Sequence, residues 1–96
     1  MKRGVGWEAV RQAYVLIISI VGSEEEALEE VRGIPEVKEA HMVYGVYDIV
    51  AHVEAETIQG IKDIVHFKIG SIDKVHSTLV LVCVQPGGGE QNGWNV

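Results

Sequence analysis

Two short segments hold most of the residues that could do chemistry. In Tyr44-Gly45-Val46-Tyr47-Asp48, a carboxylate stands at the mouth of the apolar run IVAHV, where a strand entering a core would carry Val or Ile. In His76-Ser77-Thr78, an imidazole and two hydroxyls precede LVLVCV. If the strands that open at Tyr47 and at Val75 run in the same direction, their starts meet at one end of a sheet. The set then suits a zwitterion, because a carboxylate takes an ammonium while hydroxyls and the free N–H groups of the Gly45 turn take a carboxylate. A second reading of Asp48 is local and commoner: Asp side chains bond the amides of their own turn.

Other chemistries find less support in the residue types. His41 and His52 fall on paired strands with Glu39 nearby, but no HxxxH or HExxH spacing accompanies them, and a polar sheet face is the better reading than a metal site. The single cysteine, Cys83, reads as a small buried hydrophobe and leaves no cluster for an iron–sulfur centre. The glycines Gly87 to Gly89 have no helix after them and form a linker rather than a phosphate cradle. No Ser, His and Asp set has a nucleophile elbow. Neither a cofactor nor an enzymatic activity is expected.

Composition sets the outer limits. With 96 residues the chain is one domain, small enough for association with further copies to aid its stability. Apolar residues make up 47% and charged residues 23%, a globular balance. A net charge of −6 with 8 scattered Lys and Arg gives no stripe to neutralise phosphates, so direct nucleic-acid binding is not expected. The longest apolar run, AYVLIISIV, falls well short of the ~20 residues of a membrane span. One cysteine and no secretory signal favour the cytoplasm.

The elements that position the two segments follow from periodicity. Residues 13–21 read as a strand ended by Gly22. Ser23 with Glu26 forms a capping box, and Ala27, Leu28, Val31 and Ile34 recur at helical spacing up to Gly33 and Pro35. Residues 37–44 and 47–54 alternate about a two-residue hairpin centre, Gly45-Val46, with Tyr47, Ile49, Ala51 and Val53 on one face of the second strand. Ile58, Ile61, Ile64, Val65 and Ile69 form the stripe of a helix over 57–69 stopped by Gly70. A last strand covers 75–84. The order βαββαβ predicts an α+β, ferredoxin-like sandwich: a four-stranded antiparallel sheet with both helices on one face. The first and last strands are apolar on both sides, so the bare face calls for cover, and a second copy packed sheet to sheet provides it.

The stretch AYVLIISIVGSEEEALEEVRGIPEVKEAHMVYGVYDIVAHVEAE, followed by IKDIVHFKIGSIDKVHSTLVLV, resembles the effector-binding or RAM domain of the leucine-responsive regulator and AsnC (Lrp/AsnC) family. Its most specific pieces are IPEV at 34–37, GVYD at 45–48 and VHST at 75–78. The resemblance covers residues 13–85, with a lead at 1–12 and a Gly-rich extension at 86–96. It implies dimerisation through the sheets, further assembly into an octameric ring of dimers, and a small-molecule effector, usually an amino acid, held between dimers. By position, Gly45, Tyr47 and Asp48 fall in the effector loop and Ser77 and Thr78 in the segment facing it; Tyr44 and His76 join by adjacency. Full-length members carry a helix-turn-helix domain ahead of this region, and only the short lead stands there in this sequence. The expectation is a stand-alone sensing module that modulates transcription by assembling with itself or with a full-length regulator. Two other classes share the topology. An ACT-type domain would hold its effector near Val21-Gly22-Ser23, and a small dimeric αβ-barrel monooxygenase would need a deep His-lined pocket.

Overall fold

Alternation of small and branched apolar residues with larger or polar ones builds the first strand, β1 (Arg11–Ser19), whose Ala13, Val15, Ile17 and Ser19 point into the core. The computed structural model describes residues 10–84. Along it follow helix α1 (Glu24–Arg32), strands β2 (Val37–Met42) and β3 (Ile49–Ala55), helix α2 (Ile58–Asp63) with a π-helical continuation (Ile64–Ile69), and strand β4 (Val75–Val82). The strands form one antiparallel sheet in the order β2-β3-β1-β4. This is the α+β, ferredoxin-like arrangement expected from the sequence. Because β3 and β4 are both antiparallel to β1 and flank it, they run in the same direction and start at the same end.

The core lies between the sheet and the helices. Val15 and Ile17 of β1 and Ile49 and Val53 of β3 are fully buried against Val31 of α1, Ile61 of α2 and Ile69 of the π-helical segment. Each such side chain contributes about 1.5 to 3 kcal/mol through its removal from water. The stripes read from both helices are on this interface, except that Ile58, in the first turn of α2, remains exposed. The other sheet face carries Tyr14, Leu79 and Leu81, 44%, 44% and 50% exposed in the single chain. Among the described residues no helix is long and apolar enough to cross a membrane.

Four local expectations are corrected. β1 and β4 end two residues earlier than the apolar runs, at Ser19 and Val82, since Gly22 (φ 88°) turns the chain after β1. Ser23 makes no side-chain cap; the Gly22 amide instead donates to Glu24 Oε2 at 3.2 Å, so the capping box does not form. The hairpin is centred at Gly45-Val46, as its Met42–Ile49 register requires, but the strands part at those residues and leave a broad loop over 43–48. Its mouth is held by the Val43 amide donating to the Asp48 carbonyl at 2.8 Å, and Gly45 (φ 154°) takes a backbone conformation that side chains disfavour. The second helix changes pitch at Ile64. Its π turn ends where the Gly70 amide donates to the Val65 carbonyl at 2.6 Å, a position where a Cβ would lie 3.1 Å from that oxygen.

Candidate functional site

The end of the sheet where β1 finishes and β3 and β4 begin collects most of the predicted residues. Asp48, just before β3, fixes this corner in two ways. Its amide donates to the Ile17 carbonyl at 2.9 Å, and its Oδ2 accepts both the Ser19 amide at 2.8 Å and the Ser19 hydroxyl at 3.1 Å. Ser19 is the buried polar residue of the described core, 4% exposed. A buried hydroxyl and amide must find acceptors, and this carboxylate supplies them. The local reading of Asp48 is thereby corrected: it bonds not the amides of its own turn but those of a strand 29 residues away. Register explains why, since β1 and β3 pair up to Ile17 and Ile49 and the next residues on each strand must lie side by side.

On the other side of β1, Thr78 pairs with Ile17 and Ser77 with Ile18. Thr78 is half-buried, and Ser77 and His76 are exposed. The ladder then shifts between Ile18 and Ser19, so that Ser19 pairs with Val75 and His76 lies opposite the irregularity. The structure therefore brings Asp48, His76, Ser77 and Thr78 around the last residues of β1, as the strand directions required. Tyr47 is half-buried beside Asp48. Tyr44, Gly45 and Val46 stand away at the loop tip, with Tyr44 fully exposed. Ser19 was missed by sequence reasoning, although a single hydroxyl within AYVLIISIV was its signal.

The arrangement leaves a carboxylate oriented through one oxygen by uncharged donors, so its negative charge is not cancelled by them. Among the described residues, Oδ1 accepts no hydrogen bond from the protein. Such a group can take an ammonium, and the neighbouring hydroxyls and loop amides can take an anion.

Elsewhere the polar residues serve each other. His41 Nε2 contacts Glu39 Oε1 at 3.0 Å and His52 Nε2 contacts Gln12 Oε1 at 2.9 Å, with the His52 ring stacked on Tyr14 at 5.1 Å. The hydrogen bond to His41 is the main cause holding the Glu39 carboxyl below its ordinary range. No group of three or more metal-capable side chains occurs among the described residues. Cys83 is exposed rather than buried, because alternation along the strand puts it on the outer sheet face with Leu79 and Leu81; its amide donates to the Gln12 carbonyl at 2.8 Å. At the opposite end of the sheet, Pro35, Glu36, Lys38, Glu54 and Glu56 line an open groove of about 360 Å³. Its Glu36 is already engaged by Lys68 Nζ, at 2.8 and 3.0 Å.

Residues 12–86 match the family model described as the Lrp/AsnC ligand binding domain. Among solved structures, the protein FFRP-DM1 is 31% identical, with 77% of this chain and 99% of that chain covered and a TM-score of 0.73. TTHA0845 from Thermus thermophilus is 28% identical over 81% of this chain and 98% of that one, with a TM-score of 0.75. AsnC of E. coli shares the fold at 24% identity and a TM-score of 0.76; the match takes in 91% of this chain but 60% of AsnC. No curated protein matches the sequence.

Proposed function

Because the chain belongs to the Lrp/AsnC ligand-binding domain family, we propose that it senses a small amino acid or a closely related zwitterion at the β1 end of its sheet. Asp48 receives the effector ammonium on Oδ1 while Ser19 holds Oδ2. Thr78, paired with Ile17, and the amides of the Gly45 loop receive the effector carboxylate, Ser77 stands on the opposite face of β4 at the rim, and Tyr47 bounds the side chain. Tyr44 and His76 sit at the rim, where a neighbouring copy closes the site. The observation that carries this reading is the aim of Asp48: a carboxylate fixed by neutral donors, with hydroxyls across β1 from it. A regulator of the same fold, NMB0573 of Neisseria meningitidis, is known as its complex with L-Met, which supports an amino-acid effector.

The module acts by assembly and not by turnover. Two copies pack sheet to sheet through Tyr14, Leu79 and Leu81, and dimers associate further into an octameric ring through the loop ends that carry the effector. An effector that bridges dimers favours the ring through its differential affinity for that state. Co-assembly with a full-length regulator would transmit the effect to transcription in the cytoplasm.

Thermal shift and calorimetry across the twenty amino acids test the sensing claim: at least one binds and raises the melting temperature, and binding of none would reject it. Light scattering coupled to gel filtration tests assembly. At micromolar concentration the mass exceeds the 10.5 kDa of one chain, and a monomer would reject packing through the sheets.

A further inference from the structure

β2 and β4 are the outer strands of the sheet, so each leaves one side of its backbone without a partner strand among the described residues. The free N–H and C=O groups of an edge are a template for another strand, and proteins blunt them with charge, short length or bulges. β2 has all three: six residues, Lys38 and Glu39 within them, and a register shift between Val37 and Glu39. β4 has neither charge nor short length, and its one irregularity, at His76, lies at its start and leaves Ser77 to Val82 in regular register with β1. It runs for eight residues, and from Val75 to Val84 there is no Lys, Arg, Asp, Glu or Pro.

The open groups of β4 can be assigned. Because the Cys83 amide bonds the Gln12 carbonyl, Gln12 and Cys83 are a hydrogen-bonded pair. Alternation along an antiparallel ladder then turns the backbone groups of Leu81, Leu79 and Ser77 toward β1, and those of Thr78, Val80 and Val82 outward. What satisfies that side is an extended, uncharged segment.

We propose that β4 is a self-association edge, pairing antiparallel with β4 of a second copy about a two-fold axis at Val80. Val80 of each copy then exchanges N–H···O bonds with its counterpart, and Thr78 does so with Val82 of the other copy. On the outer face Leu79 lies opposite Leu81 of the other copy, joining side chains that are half-exposed in one chain. No like charges meet. β2 of another copy is a poorer partner, since it would set Lys38 and Glu39 against the leucines and break the ladder at its bulge. This contact uses the edge of the sheet and not its face, so it stands apart from sheet-to-sheet packing; together the two would join dimers into larger bodies.

An isotope-filtered NOE experiment on the full chain, with labelled and unlabelled copies mixed, tests the proposal. Non-hydrogen-bonded pairs bring Hα atoms together, so an intermolecular contact between Leu79 Hα and Leu81 Hα is expected. Val80→Pro removes an outward N–H and no bond to β1. It weakens the edge association roughly 10- to 100-fold, read by light scattering, while circular dichroism retains the fold. Intermolecular contacts confined to outer-face side chains such as Tyr14, or absent altogether, would overturn the edge pairing even if Val80→Pro fails to fold. Side-chain contacts alone would leave sheet-to-sheet packing intact, so the two claims fail separately.

Discussion

Asp48 and Glu36 occupy equivalent places at opposite ends of the sheet, each just ahead of a strand, yet their surroundings differ in one decisive respect. Glu36 meets a cation of its own chain, Lys68, which reaches from the π-helical segment to clamp the start of β2. Among the described residues, Asp48 meets only neutral donors, the amide and hydroxyl of Ser19. A carboxylate paired with a lysine has its charge answered inside the molecule. One that is oriented by an amide and a hydroxyl keeps its charge and gains a fixed direction, as a site for an external cation requires. The contrast separates a carboxylate whose charge is met within the chain from one to which we assign recognition.

Removal of Asp48 breaks the comparison most severely. Asp48→Ala leaves the Ser19 amide and hydroxyl unsatisfied at a buried position and costs about 1 to 3 kcal/mol of stability, visible in urea titrations. It also weakens effector binding roughly 10- to 150-fold by calorimetry, the equivalent of one charge-assisted bond of about 1.5 to 3 kcal/mol. Retention of full affinity would reduce Asp48 to the same structural class as Glu36.

Ser19→Ala sharpens the contrast with a smaller effect. It deletes one of the two donors to Oδ2 and leaves the amide bond, for a loss of about 1 kcal/mol in stability and less than tenfold in effector affinity. An affinity loss as large as that of Asp48→Ala would mean that Ser19 itself contacts the effector.

Glu36→Gln is expected to do least. The hydrogen bond from Lys68, followed by that from its own amide, holds the Glu36 carboxyl below the ordinary glutamate range. A lowered value means the ionised form is favoured by folding, so this contribution is complete above about pH 4.3 and disappears as pH falls through the folded value. The pair lies at the surface with Glu36 partly exposed, so solvent screens it and the melting temperature moves little. Melting curves from pH 7 to pH 3 show a shallower acid-side decline in the variant, with effector affinity at pH 7 unchanged.

Much of the fold behind this contrast was legible in the residues. The βαββαβ order, the shared direction of β3 and β4, and the centre of the hairpin follow from the apolar periods of Ile49-Ala51-Val53, of the α1 stripe and of the last strand. The width of the hairpin loop did not follow: Val43, Tyr44 and Tyr47 have strand-like side chains, and alternation alone does not reveal that pairing stops at Met42. The π turn escaped for a related reason, since Ile64, Val65 and Ile69 fit a stripe at either pitch. The Ser19–Asp48 bond was out of reach, because its partners are distant in sequence and meet only through the register of β1 with β3. The capping box did not form because the Ser23 amide, which Glu26 would bond, already donates to the Ile20 carbonyl. Residue types and strand direction placed Asp48, His76, Ser77 and Thr78 at one end of the sheet, while the atoms that orient the carboxylate emerged only from the fold.

Asp48→Asn separates charge from geometry. The side-chain oxygen of Asn accepts from Ser19 as the carboxylate does but carries no charge. Calorimetry on the wild type and this variant, with the amino acid that binds the wild type best, is therefore the most direct test. We expect a melting temperature within a few degrees of the wild type and effector affinity lower by at least about tenfold. Equal affinity in the two proteins would contradict a recognition role for Asp48 and leave it a clasp between strands.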